Sequence, residues 1–118
     1  MKESDVILAS IPQADGQVKH RPAVILREMS AYGDMLVCGV STQMHHHIEG
    51  FGEIVSSGDP DFASSGLVSA SLIRLNFLSV LPRKNIAGVI GSISPERHHR
   101  LLTALSRYLT KNLPNHSK

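Results

Sequence analysis

Residues 19–43 read KHRPAVILREMSAYGDMLVCGVSTQ. Two apolar runs of strand length stand within it, Ala23–Leu26 and Met35–Val40, separated by a polar stretch ending in Gly33-Asp34. Runs of this length bounded by turn residues predict neighbouring strands buried in a sheet, over roughly Arg21–Arg27 and Met35–Val40. Antiparallel pairing sets the first residue of one strand beside the last of its neighbour. The basic cluster Lys19-His20-Arg21 therefore approaches the small polar residues Ser41-Thr42-Gln43. An arginine beside hydroxyls at the edge of a small barrel suits a phosphate, because its fork of donors matches phosphate oxygens.

The flanking sequence continues the pattern of short strands. Asp5–Ser10 predicts a first strand, ended by Ile11-Pro12, and Gln13–His20 a polar loop turning at Asp15-Gly16. Met44–Ile48 reads as a strand edge or a loop, and Gly50–Val55 as another short strand. Ser56–Gly66, dense in Ser, Gly, Asp and Pro, reads as a surface loop. In Ala70–Phe77 a strand would put Leu72, Arg74 and Asn76 on one face and Ile73, Leu75 and Phe77 on the core face. Arg74 and Asn76 would then point together away from the core. A helix there would instead separate them by about 200°. Ile86–Ile93 is the last predicted strand, with Gly88 and Gly91 permitting a bend or bulge.

Ser94 suits a helix N-cap, Pro95 the first helical position and Glu96 the positive end of the helix dipole. Arg97 stands where a capping-box glutamate would be, so that motif is absent. Leu101, Leu102, Leu105, Tyr108 and Leu109 recur at helical spacing and define one apolar face. Asn112 and Pro114 end the helix, and His98 and His99 are expected at the surface. Together these elements predict a mainly β fold: a small barrel of five to seven strands with a C-terminal amphipathic helix.

A chain of 118 residues is one domain with a single modest core. Aromatic residues make up 4% with no Trp, which argues against a base-stacking platform of several rings. A net charge of +2 permits a nucleic-acid partner without demanding one. The one cysteine, Cys38, excludes an intrachain disulfide and lies in an apolar strand, where it reads as a small buried hydrophobe. No apolar run approaches about 18 residues, so no membrane span is expected and a cytoplasmic location is.

The motifs also carry a family likeness. RPAVIL followed by VCGVSTQ resembles the two central motifs of the MazF/PemK (Kid) toxins: Arg-Pro, an apolar strand, then a strand ending in a Thr-Ser-Gln-like triplet. Asp5–Leu8 resembles the family's opening strand, with Ser4 where glycine is usual. Asp15-Gly16, Gly66-Leu67, Ser71–Arg74 and Ile90–Glu96 resemble later segments in the family's order. The resemblance implies an SH3-like barrel with a terminal helix. It further implies a homodimeric endoribonuclease for single-stranded RNA, without metal or other cofactor, neutralised by an antitoxin peptide. The products would be a 2′,3′-cyclic phosphate and a 5′-hydroxyl. Its antitoxin would bind a face near Phe51, Phe62 and Leu67.

Cutting RNA without a metal requires positioning the 2′-hydroxyl, stabilising added charge on phosphorus and protonating the departing oxygen. Arginine suits the second task and is a poor base. With the resemblance, the candidate catalytic residues are Arg21 as clamp, Ser41 as orienting hydroxyl (the family usually has threonine) and Arg74, which matches a family arginine, as second cation. Lys19, His20, Thr42, Gln43, His45 and Asn76 are candidate RNA contacts. Asn76 stands where some family members carry an aspartate, and an amide cannot take a proton. His20 and His45 are then the candidate bases. Two rival readings remain: a non-catalytic SH3-like module that binds RNA or a peptide, and a metal-dependent hydrolase. The latter would use His45 and His47 on one face of a strand.

Overall fold

The two apolar runs pair as the centre of a sheet in the computed structural model, which describes residues 1–12 and 14–114. They lie in β2 (Val18–Glu28) and β3 (Met35–Ser41). Around them are β1 (Asp5–Pro12), β4 (Glu53–Val55), α1 (Phe62–Ser65), β5 (Ser71–Leu81), β6 (Ile86–Ser92) and α2 (Pro95–Thr110). The strands form one curled antiparallel sheet, a half-barrel, in the order β4-β5-β3-β2-β1-β6. The mainly β fold with one C-terminal helix is as expected.

The apolar runs are unbroken because the central strands bury both faces. Val24 and Leu26 join Val6, Cys38, Ile73 and Leu75 in a core closed by Leu101 and Leu105 of α2. The alternate residues Ala23 and Ile25 join Ile7, Met35, Val37 and Leu81 in a second cluster. Side chains alternate across a strand, so consecutive apolar residues feed opposite faces.

Strand β2 begins earlier than expected, since Val18–His20 belong to it. The reason is β1, which runs on to Pro12 and pairs Ser10 with His20 and Ala9 with Arg21. Arg21 is consequently inside a hairpin arm and not at a strand start. Of the predicted Gln13–His20 loop, Gln13 lies outside the described residues. The strand predicted over Gly50–Val55 shortens to Glu53–Val55, because Gly50 and Gly52 take φ values of 76° and 119°. Met44–His46 is a 3-10 turn, so His45 and His47 do not share a strand face. In β6 the residues Ile90 and Ala87 are skipped in the pairing with β1, giving bulges beside Gly91 and Gly88.

Segment 56–66 is not a free surface loop. It closes the seam between the two edge strands of the sheet, β4 and β6. Its turn, α1, packs so tightly on β6 that a Cβ at Gly66 would meet the Ile90 carbonyl, and one at Gly91 the Ser64 carbonyl. Gly66 ends α1 with φ 75°, a left-handed cap that glycine adopts without strain. Asp61 is buried, and its carboxylate accepts from the Ser94 N–H at 3.0 Å and from Arg97. Arg97 is itself buried and also donates to Glu53 at 2.8 Å and Asp59 at 3.1 Å. One guanidinium thus ties β4, the seam and α2 together. The Arg97 hydrogen bond holds the Asp61 carboxyl down to about 2.

Helix α2 starts as its sequence dictates, with the Ser94 hydroxyl accepting from the Arg97 N–H at 3.1 Å. Its apolar face departs from expectation at both ends. His98 is half-buried, with Nε2 2.7 Å from the Leu26 carbonyl, a contact in which Nε2–H donates. Tyr108 and Leu109 stay 55% and 61% exposed because the core cluster ends at Leu105. Among the described residues no helix is long and apolar enough to cross a membrane.

Candidate active site

Strands β2, β3 and β5 converge on a cleft of about 210 Å³ lined by Arg21, Ser41, Gln43, His46, Arg74 and Phe77, floored by Pro22, Gly39 and Val40. The pairing explains who arrives there. Ala23 lies opposite Gly39, so Arg21, two residues earlier, comes level with Ser41, two residues later. On the other side of β3, Gly39 faces Arg74.

Below that pair the β5 register jumps: Cys38 pairs with Leu78, leaving Leu75, Asn76 and Phe77 without counterparts on β3. This bulge defeats the predicted alternation. Leu75 is in the core, but Phe77 is not. Its ring lies against Gly39, where an added Cβ would come within 3.1 Å of it. The Arg74 guanidinium stacks 5.4 Å above the same ring. Asn76 turns instead into a separate groove and does not share a site with Arg74.

Both arginines of the cleft are chemically available. Among the described residues, arginine ion pairs engage Arg27, Arg83, Arg97 and Arg100, not Arg21 or Arg74. The Arg74 Nε–H is buried and has no hydrogen-bond partner. A desolvated donor of that kind costs about 1–3 kcal/mol until an acceptor reaches it. Ser41 Oγ accepts from the Gln43 N–H at 3.0 Å, which leaves its own O–H proton for an outside acceptor. This bond also turns the chain into the Met44–His46 turn, whose last residue points His46 into the cleft. Partial desolvation, with His45 and Arg74 nearby, lowers the pKa of the exposed His46 imidazole from its ordinary value.

The other candidates are distributed more widely. Gln43 lines both the cleft and an adjoining hollow of about 160 Å³, which adds Thr42 and Ser71 to Arg21 and Ser41. Lys19 and His20 are exposed on β2 and line neither space. His45 is exposed outside the cleft, its ring 4.2 Å from that of His46. Phe62 and Leu67 are half-buried against the core. Phe51 lines a groove of about 940 Å³, together with Tyr108, Asn76, Arg100, Arg107 and Lys111. Phe51 and Tyr108 stack there at 4.4 Å. Among the described residues no three His, Cys, Asp or Glu side chains gather as a metal-binding group. Sequence reasoning missed His46 and Phe77. The Ser41-Thr42-Gln43 turn signal ahead of the histidine tract was the cue for the first.

A curled antiparallel sheet backed by a terminal helix, with two unpaired arginines in an open cleft, defines a small β protein with a cationic site. Residues 2–109 match the family model of PemK-like, MazF-like toxins of type II toxin–antitoxin systems, and the chain belongs to that family. Among solved structures it is similar to the Mycobacterium tuberculosis toxin MazF-mt6, with a TM-score of 0.67 and 17% identity. That match covers 92% of this chain and 99% of the other, and bears on the fold. No curated protein sequence matches the chain closely enough to count as a relative.

Proposed function

We propose that this toxin-family protein is an endoribonuclease that cleaves single-stranded RNA by metal-independent attack of the 2′-hydroxyl on the adjacent phosphate. The convergence of Arg21, Ser41 and Arg74 on one solvent-open cleft carries the reading. The scissile phosphate sits between the two guanidiniums. Arg21, exposed at the cleft, clamps the charge that builds on the non-bridging oxygens. Arg74, braced on Phe77, offers its unpartnered Nε–H to one of those oxygens. The Ser41 hydroxyl donates to the phosphate and orients it. A 2′,3′-cyclic phosphate and a 5′-hydroxyl follow from this attack.

The flanking nucleotides run past Thr42 and Gln43 on one side, with Lys19, His20 and His45 supplying outer contacts. Asn76 contacts RNA only if the strand enters the groove beneath α2. That groove, apolar at Phe51 and Tyr108 and cationic at Arg100, Arg107 and Lys111, suits an acidic peptide with apolar anchors, the form proposed for the antitoxin. The protein is proposed to act as a homodimer.

Incubation of the purified protein with a long single-stranded RNA in excess chelator tests the reading. Discrete products ending in cyclic phosphate are expected. RNA retained without products would replace the enzyme by a binding module, and activity lost to chelator would replace it by a metal-dependent hydrolase.

A further inference from the structure

We infer that His46 is the general base of this site, taking the proton from the attacking 2′-hydroxyl. The inference rests on the ribonuclease reading and specifies a step that reading leaves open.

The lining of the cleft carries the argument. An attacking 2′-hydroxyl must lose its proton to a group within hydrogen-bond reach that is unprotonated near neutral pH. Arg21 and Arg74 are permanently charged, and the side chains of Ser41 and Gln43 are not bases at that pH. Phe77 has no acceptor. The adjoining hollow adds only the hydroxyls of Thr42 and Ser71. Among the described residues no carboxylate lines either space. Glu53, Asp59 and Asp61 are held by Arg97 at the far seam. Among the described residues that line the two spaces, His46 alone carries a side-chain nitrogen able to take a proton near neutral pH.

The turn that carries it is set by the site itself. The Met44–His46 turn is closed by the His46 N–H donating to the Gln43 carbonyl at 3.1 Å. It is anchored to β3 by the Gln43 N–H donating to Ser41 Oγ. The residue that orients the phosphate therefore also sets the turn that presents the base. His20 and His45 lie outside the cleft, so neither can take this part from where it stands. The charged groups facing His46 are Arg21 from β2, Arg74 from β5 and His45 from its own turn. Desolvation, His45 and Arg74 each disfavour the imidazolium, which favours the neutral ring that can accept a proton.

In the step, the 2′-oxygen gives its proton to His46 and forms a bond to phosphorus. The bond from phosphorus to the 5′-oxygen breaks, and that oxygen leaves with a proton from water. The imidazolium then returns its proton to solvent.

The test compares wild type, His46→Gln and His47→Gln on one RNA, in chelator, measuring single-turnover cleavage and equilibrium binding from pH 5 to 9. His47 lines neither the cleft nor the hollow and serves as the control. The inference predicts a fall of at least about 10²-fold in the cleavage rate of His46→Gln at saturating RNA, with unchanged Kd. Its pH profile should lose the acid limb that wild type and His47→Gln retain. An unchanged rate, or a loss confined to Kd, would overturn His46 as base while leaving the nuclease reading intact. Wild type that binds RNA without cutting it would overturn both.

Discussion

The Arg97 guanidinium grips the Asp61 carboxylate with two hydrogen bonds, Nε to Oδ2 at 2.8 Å and Nη2 to Oδ1 at 3.1 Å. The pair joins a helix to a segment 36 residues earlier, and the Asp61 carboxylate also accepts from the Ser94 N–H. A planar fork on a carboxylate is the strong geometry for such a bond, and burial of both partners makes it intolerant of loss.

Arg97→Ala should therefore destabilise the protein by about 3–5 kcal/mol, the cost of leaving buried charges without their partner. Urea unfolding followed by circular dichroism reads this directly. A loss under about 1 kcal/mol would mean that the carboxylates find other partners or water.

The same pair sets the acid limit of stability. Asp61 titrates at about 2 in the folded protein against an ordinary 3.8. A folded value below the unfolded one contributes stability above pH 4 that is lost as pH falls from about 4 to 2. The loss attributable to Asp61 is about 2 kcal/mol. Urea midpoints across that window should fall more steeply in wild type than in Asp61→Asn, which starts lower. Parallel curves would remove Asp61 from the acid transition.

Gly66→Ala should cost more than about 2 kcal/mol, since the methyl meets both a left-handed backbone and the Ile90 carbonyl. Gly58→Ala, in the same segment but with open space around it, should stay within about 0.5 kcal/mol. Similar melting shifts for the two variants would contradict the seam as described.

Burial pushes the Cys38 thiol up to about 12. A thiol reagent at pH 8 should label it only on unfolding, at the rate of global opening. Prompt labelling of the native protein would place Cys38 nearer solvent than the core around Val24 and Leu75.

The parts of the molecule legible in its sequence are those written by local chemistry. Ala23–Leu26 and Met35–Val40 read as central strands because two-sided burial demands continuous apolar residues. Ser94-Pro95 announced a helix start because capping is a bond within one turn. The parts that were not legible depend on contacts distant in sequence. Nothing near Asp61 signals an arginine 36 residues on, so a Ser- and Gly-rich seam reads as loop. The bulge at Leu75–Phe77 separates Arg74 from Asn76, although two-residue spacing puts them on one face. The histidine tract is alike at three positions, and only the turn after Ser41 selects His46 for the cleft.

The central claim is that Arg21 stabilises charge on a phosphate being cut, and single-turnover cleavage by Arg21→Ala tests it most directly. The account predicts a rate at least about 10²-fold below wild type, as for loss of one transition-state donor, with an unchanged melting temperature. Cleavage of the same RNA at the wild-type rate would contradict it.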